Sequence, residues 1–256
     1  MNFRVREVDL AALNTLTKYP SIQTYHALDP RNGRLVDDRI EFDGPVIGTE
    51  KVDGTNARII SLPGGGYILG SREELLYAKG DLIGNPAQGI VAALRGPADA
   101  LGPMREDVIE VRYLEVYGAK ITAGAKEYTG TRAVGFRLFD HIRVPDYADL
   151  LARPRAVIAE WRESGGQRFL AEPDLLKAAA DAGIDVTPRL FTLEAAALPT
   201  GIDEMRAFLR AHLPRTRSAL DAGAGGKPEG IVLRTGTRSR IAKARFQDYD
   251  RTLRGR

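Results

Sequence analysis

The chain contains no cysteine. That absence excludes a disulfide framework, thiolate zinc sites and a cysteine nucleophile. Histidine is nearly as scarce: His26, His141 and His212 are the only three, and their spacing is not that of metal ligands. They read as structural or exposed side chains. Any catalytic metal is therefore expected to be a hard, oxygen-liganded ion, Mg2+ or Mn2+. Long apolar runs are missing too. The opening MNFRVREVDL lacks the apolar stretch of a signal peptide, and no later segment approaches the roughly 18 apolar residues that span a bilayer. No membrane partner is expected, and a cytoplasmic location is the default expectation. Charge of one sign hardly dominates: 37 Lys and Arg against 34 Asp and Glu leave a formal +3, with a pI near 9.1. Such a balance suits a nucleic-acid partner but is shared by many proteins that have none.

With 43% hydrophobic and 28% charged residues in 256, the chain can bury a sizeable core, and it reads as a single domain over residues 1–256. Apolar alternation and β-branched content predict strands at about 44–52, 56–62, 66–71, 107–118, 132–141, 229–235 and 239–245. Apolar residues at helical spacing predict helices at about 8–17, 84–95, 146–163, 173–182 and 202–212, with Asp146 and Pro173 as start signals. Gly64, Gly65 and Gly66 mark a hairpin tip, and the Gly- and Ala-rich stretch from Asp221 to Pro228 reads as a mobile loop. Residues 145–226, mostly helical, look like an insertion on an antiparallel sheet, which makes the class α+β.

The candidate chemistry begins at Glu50-Lys51-Val52-Asp53-Gly54-Thr55-Asn56, at the end of one apolar strand and the start of another. Lysine and aspartate two apart share a strand face, and the glycine lets the backbone approach a ligand. A Lys-x-Asp-Gly match arises by chance in roughly one chain of this length in fifteen, so alone it identifies nothing. Five further elements follow in order: Ser71-Arg72, Glu115 within Leu114 to Gly118, Phe139-Asp140, Glu229-Gly230-Ile231-Val232 and Lys243-Ala244-Arg245. Glu115 and Glu229 stand out because a carboxylate in an otherwise apolar strand is costly to bury without a partner. Phe139, in an apolar strand, also reads as an ordinary core residue, and Arg72, in the run Arg72-Glu73-Glu74, as a solvated turn.

Over residues 44–245 this ordered set resembles the covalent nucleotidyltransferases, the superfamily of polynucleotide ligases and mRNA capping enzymes. Thr55-Asn56 after the glycine is similar to the ATP-dependent RNA ligase branch. The resemblance implies a ligase-type nucleotidyltransferase domain with antiparallel sheets, peripheral helices and a nucleotide groove between them. It implies that Lys51 attacks the α-phosphate of ATP and carries AMP. AMP then passes to an RNA 5′-phosphate, and a 3′-hydroxyl displaces it to seal the strand. A free lysine has a pKa near ~10.4, so clustered cations, here Lys243 and Arg245, favour the neutral nucleophile and neutralise the departing pyrophosphate.

Carried over residue by residue, the resemblance implies that Glu50 contacts adenine, Phe139 stacks on it and Glu115 holds the ribose hydroxyls. It puts Arg72 on a phosphate or the RNA 5′ end, Asn56 near the nucleotide phosphates, and Glu229 with Glu115 on the metal. Lys18 to Ile22 and Thr24 to His26 are similar to the segment that precedes the reactive lysine in RNA ligases, and could flank the pocket.

Two departures stand out. Arg245 replaces the second lysine of the usual last motif, keeping the charge but not the compact ammonium. The chain also stops soon after that motif, so no C-terminal OB-fold domain is expected, and a separate partner protein could supply one. A DNA ligase, a GTP-using capping enzyme and a non-catalytic subunit that binds nucleic-acid ends are the rival expectations. The basic residues Arg215, Arg217, Arg251, Arg254 and Arg256 could meet RNA phosphates or simply be solvated.

Overall fold

The computed structural model describes residues 5–79, 89–102 and 107–254. Among them, β1 (His26–Leu28) and β2 (Leu35–Arg39) make a small two-stranded sheet. A four-stranded sheet is built from β3 (Pro45–Lys51), β9 (Arg189–Glu194), β10 (Gly230–Thr235) and β11 (Ile241–Arg245), in the order β11-β10-β3-β9. A five-stranded sheet takes β4 (Thr55–Ser61), β5 (Tyr67–Ser71), β6 (Leu75–Ala78), β7 (Ile109–Gly118) and β8 (Val134–Val144), in the order β6-β5-β4-β7-β8. All strand pairs in these sheets are antiparallel. The class is α+β, as expected.

Helices α1 (Leu10–Thr17), α2 (Ile90–Ala100), α3 (Tyr147–Leu151), α4 (Arg155–Glu163) and α5 (Glu172–Asp181) surround the larger sheet, and α6 (Ile202–His212) and α7 (Phe246–Leu253) cover the smaller one. On one face of the larger sheet Ile60, Val111 and Tyr113 lie with Leu13 and Leu16 of α1 and Ile158 of α4. On the other, Ala57, Ile59, Leu114 and Val116 lie with Leu94 of α2 and Leu175 of α5. Coverage of both faces leaves β4 and β7 almost continuously buried rather than alternating between buried and exposed. The four-stranded sheet packs its apolar core on one face: Val46, Ile231, Leu233, Ala242 and Ala244 lie with Met205 and Leu209 of α6 and Phe246 and Tyr249 of α7. The Val, Ile, Leu, Met and Phe side chains among them contribute about 1.5–3 kcal/mol each when fully buried. The opposite face, carrying Lys51, Lys243 and Arg245, has exchanged that gain for polar chemistry.

Several expectations are corrected. The segment 145–226 is not merely a helical insertion, because its β9 pairs with β3 and completes the sheet that carries Lys51. Pro154 lacks the N–H a continuous helix needs and stands at the N-cap of α4, so the expected 146–163 helix is two, α3 and α4. The start of the helix expected at 84–95 lies outside the described residues, and α2 runs on to Ala100. The loop from Asp221 is pinned rather than free. Its carboxylate accepts hydrogen bonds from Gly130 N (2.9 Å), Thr131 Oγ1 (2.7 Å) and Thr129 Oγ1, and Leu220 N donates to Tyr128 O (2.7 Å).

Candidate active site

Strand register decides which side chains meet. Lys51 of β3 lies opposite Gly230 of β10, and Gly230 lies opposite Arg245 of β11. One row further along, Thr49, Val232 and Lys243 stand side by side in the same way. Strands are about 4.8 Å apart, so Lys51 and Arg245 face each other across roughly 10 Å with only a glycine between. A Cβ on Gly230 would fall 2.2 Å from Ala244 O, so that gap is closed to any side chain.

The cleft beside this face has a volume of about 440 Å³. Its second wall is the uncovered end of the larger sheet. Asn56 and Glu115 are direct cross-strand partners on β4 and β7, on the same face as Arg58 and Tyr113. Deeper along that face α1 closes over the sheet. There Arg58, with no exposed surface, donates to Asn14 O (3.1 Å) and Thr17 Oγ1 (3.0 Å) at the end of α1. Phe139 enters the cleft through an irregularity: Tyr113 pairs with Asp140 and Leu114 with Leu138, leaving Phe139 as the extra residue of a β-bulge. Bulges of this kind re-aim a side chain beside a site. Tyr19 packs edge-on to Phe139, with ring centroids 5.0 Å apart. Tyr19, Pro20 and Ile22 line the same cleft, and segment 23–25 runs beside β11 through Lys243 N to Gln23 O and Tyr25 N to Lys243 O, each 2.9 Å.

Lys51 Nζ donates to Glu229 Oε2 at 2.6 Å, with 26% and 17% of the two side chains exposed. Burial raises the Glu229 carboxyl above its ordinary range, and Lys51 draws it back. Glu115 accepts from Gly54 N (3.1 Å). Its pKa is pushed up to about 7, chiefly by burial, against the attraction of Lys51 and with added repulsion from Glu229. Desolvation lowers the Lys243 ammonium first, and the neighbouring cations Arg245, Lys51 and Arg72 lower it further. Arg245 also lines the cleft, but Asp248 grips its guanidinium by two bonds of 2.7 and 3.1 Å. Arg72 is half exposed at the rim, 3.2 Å from Ser21 Oγ. The Asn56 Oδ1 atom, buried in the cleft wall, has no hydrogen-bond partner in the protein, which suits a group awaiting a ligand.

Glu50 departs from expectation. Strand alternation sends its carboxylate to the face opposite Lys51. There, 1% exposed, it accepts from Arg217 N (2.8 Å), Ser218 Oγ (3.2 Å) and Thr216 Oγ1. Its oxygens anchor the 216–218 loop, although Glu50 is also among the residues that line the cleft, so the expected adenine contact would compete with that anchoring. On the other flank of Lys51, Asp53 N donates to Tyr128 Oη (2.6 Å) and Thr122 Oγ1 to Asp53 O (3.3 Å). The strand end that carries Lys51 is thus held from both sides, by residues that only long-range packing brings there.

Sequence reasoning also passed over Arg234. It is 2% exposed, lines the cleft from β10, and donates to Phe139 O (3.2 Å) and Asp140 Oδ1 (3.4 Å). Its alternation with Val232 and Gly230 was the available signal. Arg238 closes the same end, donating to Asp140 Oδ2 (2.9 Å) and to Tyr19 Oη (2.8 Å).

No group of three potential ligands for a metal comes together among the described residues. The part-buried pair Glu115 and Glu229 nevertheless fits Mg2+ or Mn2+. Mg2+ takes one or two protein carboxylates and completes its shell with water and substrate phosphate oxygens, and a cation there would relieve the repulsion that raises Glu115. No described helix is long and apolar enough to cross a membrane.

No curated protein sequence matches the chain. Solved structures do. An apo mutant of the Naegleria gruberi RNA ligase superposes with a TM-score of 0.57 at 14% identity, over 92% of this chain and 62% of that one. Another mutant of the same ligase, solved with ATP and Mn, gives 0.55 at 16% identity, over 93% and 62%. An archaeal ATP-dependent RNA ligase gives 0.52 at 16%, over 91% and 49%. The chain therefore spans between half and two thirds of the length of these proteins, and shares their fold. The family model for RNA ligase matches residues 44–245, all six motif elements included, and the chain belongs to the RNA ligase family.

Proposed function

We propose that the protein is an ATP-dependent RNA ligase in which Lys51 carries AMP. The observation that supports this most directly is the row Lys51, Gly230, Arg245, with Lys243 adjoining it. An amine faces cations across a bare stretch of backbone wide enough for a phosphate. In the first step Lys51 Nζ attacks the α-phosphorus of ATP, the P–N bond forms and the bond to pyrophosphate breaks. Glu229, at 2.6 Å, stands within reach of the proton that Nζ sheds. Lys243 and Arg245 neutralise charge gathering on the departing pyrophosphate. Phe139 stacks on the base, Glu115 accepts the ribose hydroxyls, and Asn56 and Arg72 contact the phosphates. Mg2+ or Mn2+, held by Glu229 and Glu115, would supply electrostatic stabilisation of the same phosphate oxygens. AMP then passes to an RNA 5′-phosphate, and a 3′-hydroxyl displaces it. Incubation with α-labelled ATP and Mg2+ or Mn2+, followed by denaturing electrophoresis, tests the first step. A covalent label is expected in the wild type and none in Lys51→Ala. An unlabelled wild type, after pyrophosphate has stripped any bound AMP, would refute autonomous adenylylation.

A further inference from the structure

Two other hollows share lining residues with the nucleotide cleft. One, of about 670 Å³, meets the cleft at Asp53 and Glu229, on the side of Lys51 itself. The other, of about 540 Å³, meets it at Ile22, Lys243 and Arg245, on the side of β11. Displacement at phosphorus runs in line, with the entering and leaving atoms on opposite faces. If Lys51 Nζ attacks from β3 with the α-phosphorus over Gly230, pyrophosphate leaves toward β11. When lysyl-AMP is itself attacked, Nζ is the leaving group, so the incoming oxygen must arrive from the β11 side.

We infer that the hollow beyond Lys243 and Arg245 receives the terminal nucleotide of the 5′-phosphorylated RNA strand, with Arg39 as its phosphate- and strand-binding cation. The inference rests on the ligase reading above. The chemistry of the walls matches such a ligand. Ile22, Ile40 and Leu28 offer apolar surface for a base, and Leu28, 38% exposed, is otherwise an unexplained apolar side chain at the surface. Gln23 and Thr24 supply polar groups. Arg39 pairs with the exposed carboxylate of Glu41 (3.0 Å) and lies against the Tyr25 hydroxyl, and the exposed ion pair is weak enough for a phosphate to displace. A volume of this size falls in the range of small-ligand sites. In the transfer step an oxygen of the RNA 5′-phosphate bonds to the AMP phosphorus, the P–N bond to Lys51 breaks, and the amine leaves with a proton. The product carries a 5′-to-5′ pyrophosphate.

The test uses the full chain without ATP or divalent metal, so that binding alone is read. Anisotropy of RNA oligonucleotides labelled at the 3′ end compares 5′-phosphate with 5′-hydroxyl strands. The wild type is expected to prefer the phosphorylated strand by about tenfold or more, the yield of a charge-assisted contact. Arg39→Ala should lose most of that preference, and Arg39→Lys should regain part of it. A variant-free arm places 4-thiouridine at the 5′ terminus and maps the photo-crosslink, expected within 22–28 or 38–40. No phosphate preference in the wild type, a preference indifferent to Arg39→Ala, or crosslinks confined to the hollow at Asp53 and Lys227 would overturn the assignment. Failure of the ligase reading has a different signature. The wild type would show no lysyl-AMP while the 5′-phosphate preference and the crosslink stood.

Discussion

Replacing Glu115 by glutamine is expected to make the protein more stable at neutral and alkaline pH. The carboxyl sits desolvated in the cleft wall, which pushes its pKa up to about 7 in the folded chain from an ordinary 4.5. The unfolded chain releases this proton near 4.5 and the folded chain only near 7, so stability falls as pH rises between the two and levels off above. From the linkage relation, ionised Glu115 costs the folded state about 3 kcal/mol at pH 8 and about 1 kcal/mol at pH 5. Glutamine cannot ionise, and its Oε1 can still accept from Gly54 N, now 3.1 Å from Glu115. The gain from Glu115→Gln should therefore be larger at pH 8 than at pH 5 by about 2 kcal/mol, or roughly 4–8 °C in Tm for a chain of this size. Thermal melts of wild type and variant at both pH values, without nucleotide, measure this directly. An equal difference at pH 5 and pH 8, or a loss of stability at pH 8, would refute the reasoning. The residue would then not be held as a strained acid for the sake of a ligand.

The supports of Lys51 give two further expectations. Tyr128→Phe removes the acceptor of Asp53 N and should cost about 1–3 kcal/mol in denaturant unfolding, the usual penalty for a stranded buried donor. In a labelling assay it should slow lysyl-AMP formation at saturating ATP more than it raises the KM for ATP, because the group sits behind the nucleophile. Glu50→Ala strands the Arg217 amide and the Thr216 and Ser218 hydroxyls, and should likewise destabilise by about 2 kcal/mol or more. Unchanged stability with a raised KM for ATP would instead restore the adenine contact that the sequence suggested.

How much was legible in the sequence varies with the residue. The Lys51 motif, the buried carboxylates and the closing Lys243-Ala244-Arg245 were readable because charged residues in apolar strands are costly and hence conspicuous. The α+β class and the principal strands were readable because alternation and β-branched runs are local properties. Strands β1, β2, β6 and β9 were not. They are three to six residues long, too short to show a period, and the partner of β9, strand β3, lies about 140 positions away in the chain. Pinning of the Asp221 loop depended on Thr129 and Thr131, some ninety positions away.

The sequence by itself determined the family, the nucleophile candidate and the order of the motif strands, since these follow from residue type and spacing along the chain. Only the tertiary structure decided what each side chain faces. The alternation of β3 put Lys51 in the cleft and Glu50 behind it. A bulge in β8 brought Phe139 to the cleft, and sheet register set Gly230 between Lys51 and Arg245. Those outcomes rest on pairings between strands up to about 190 residues apart in the chain, and a pairing of that kind is fixed by which faces can be buried together rather than by any local pattern.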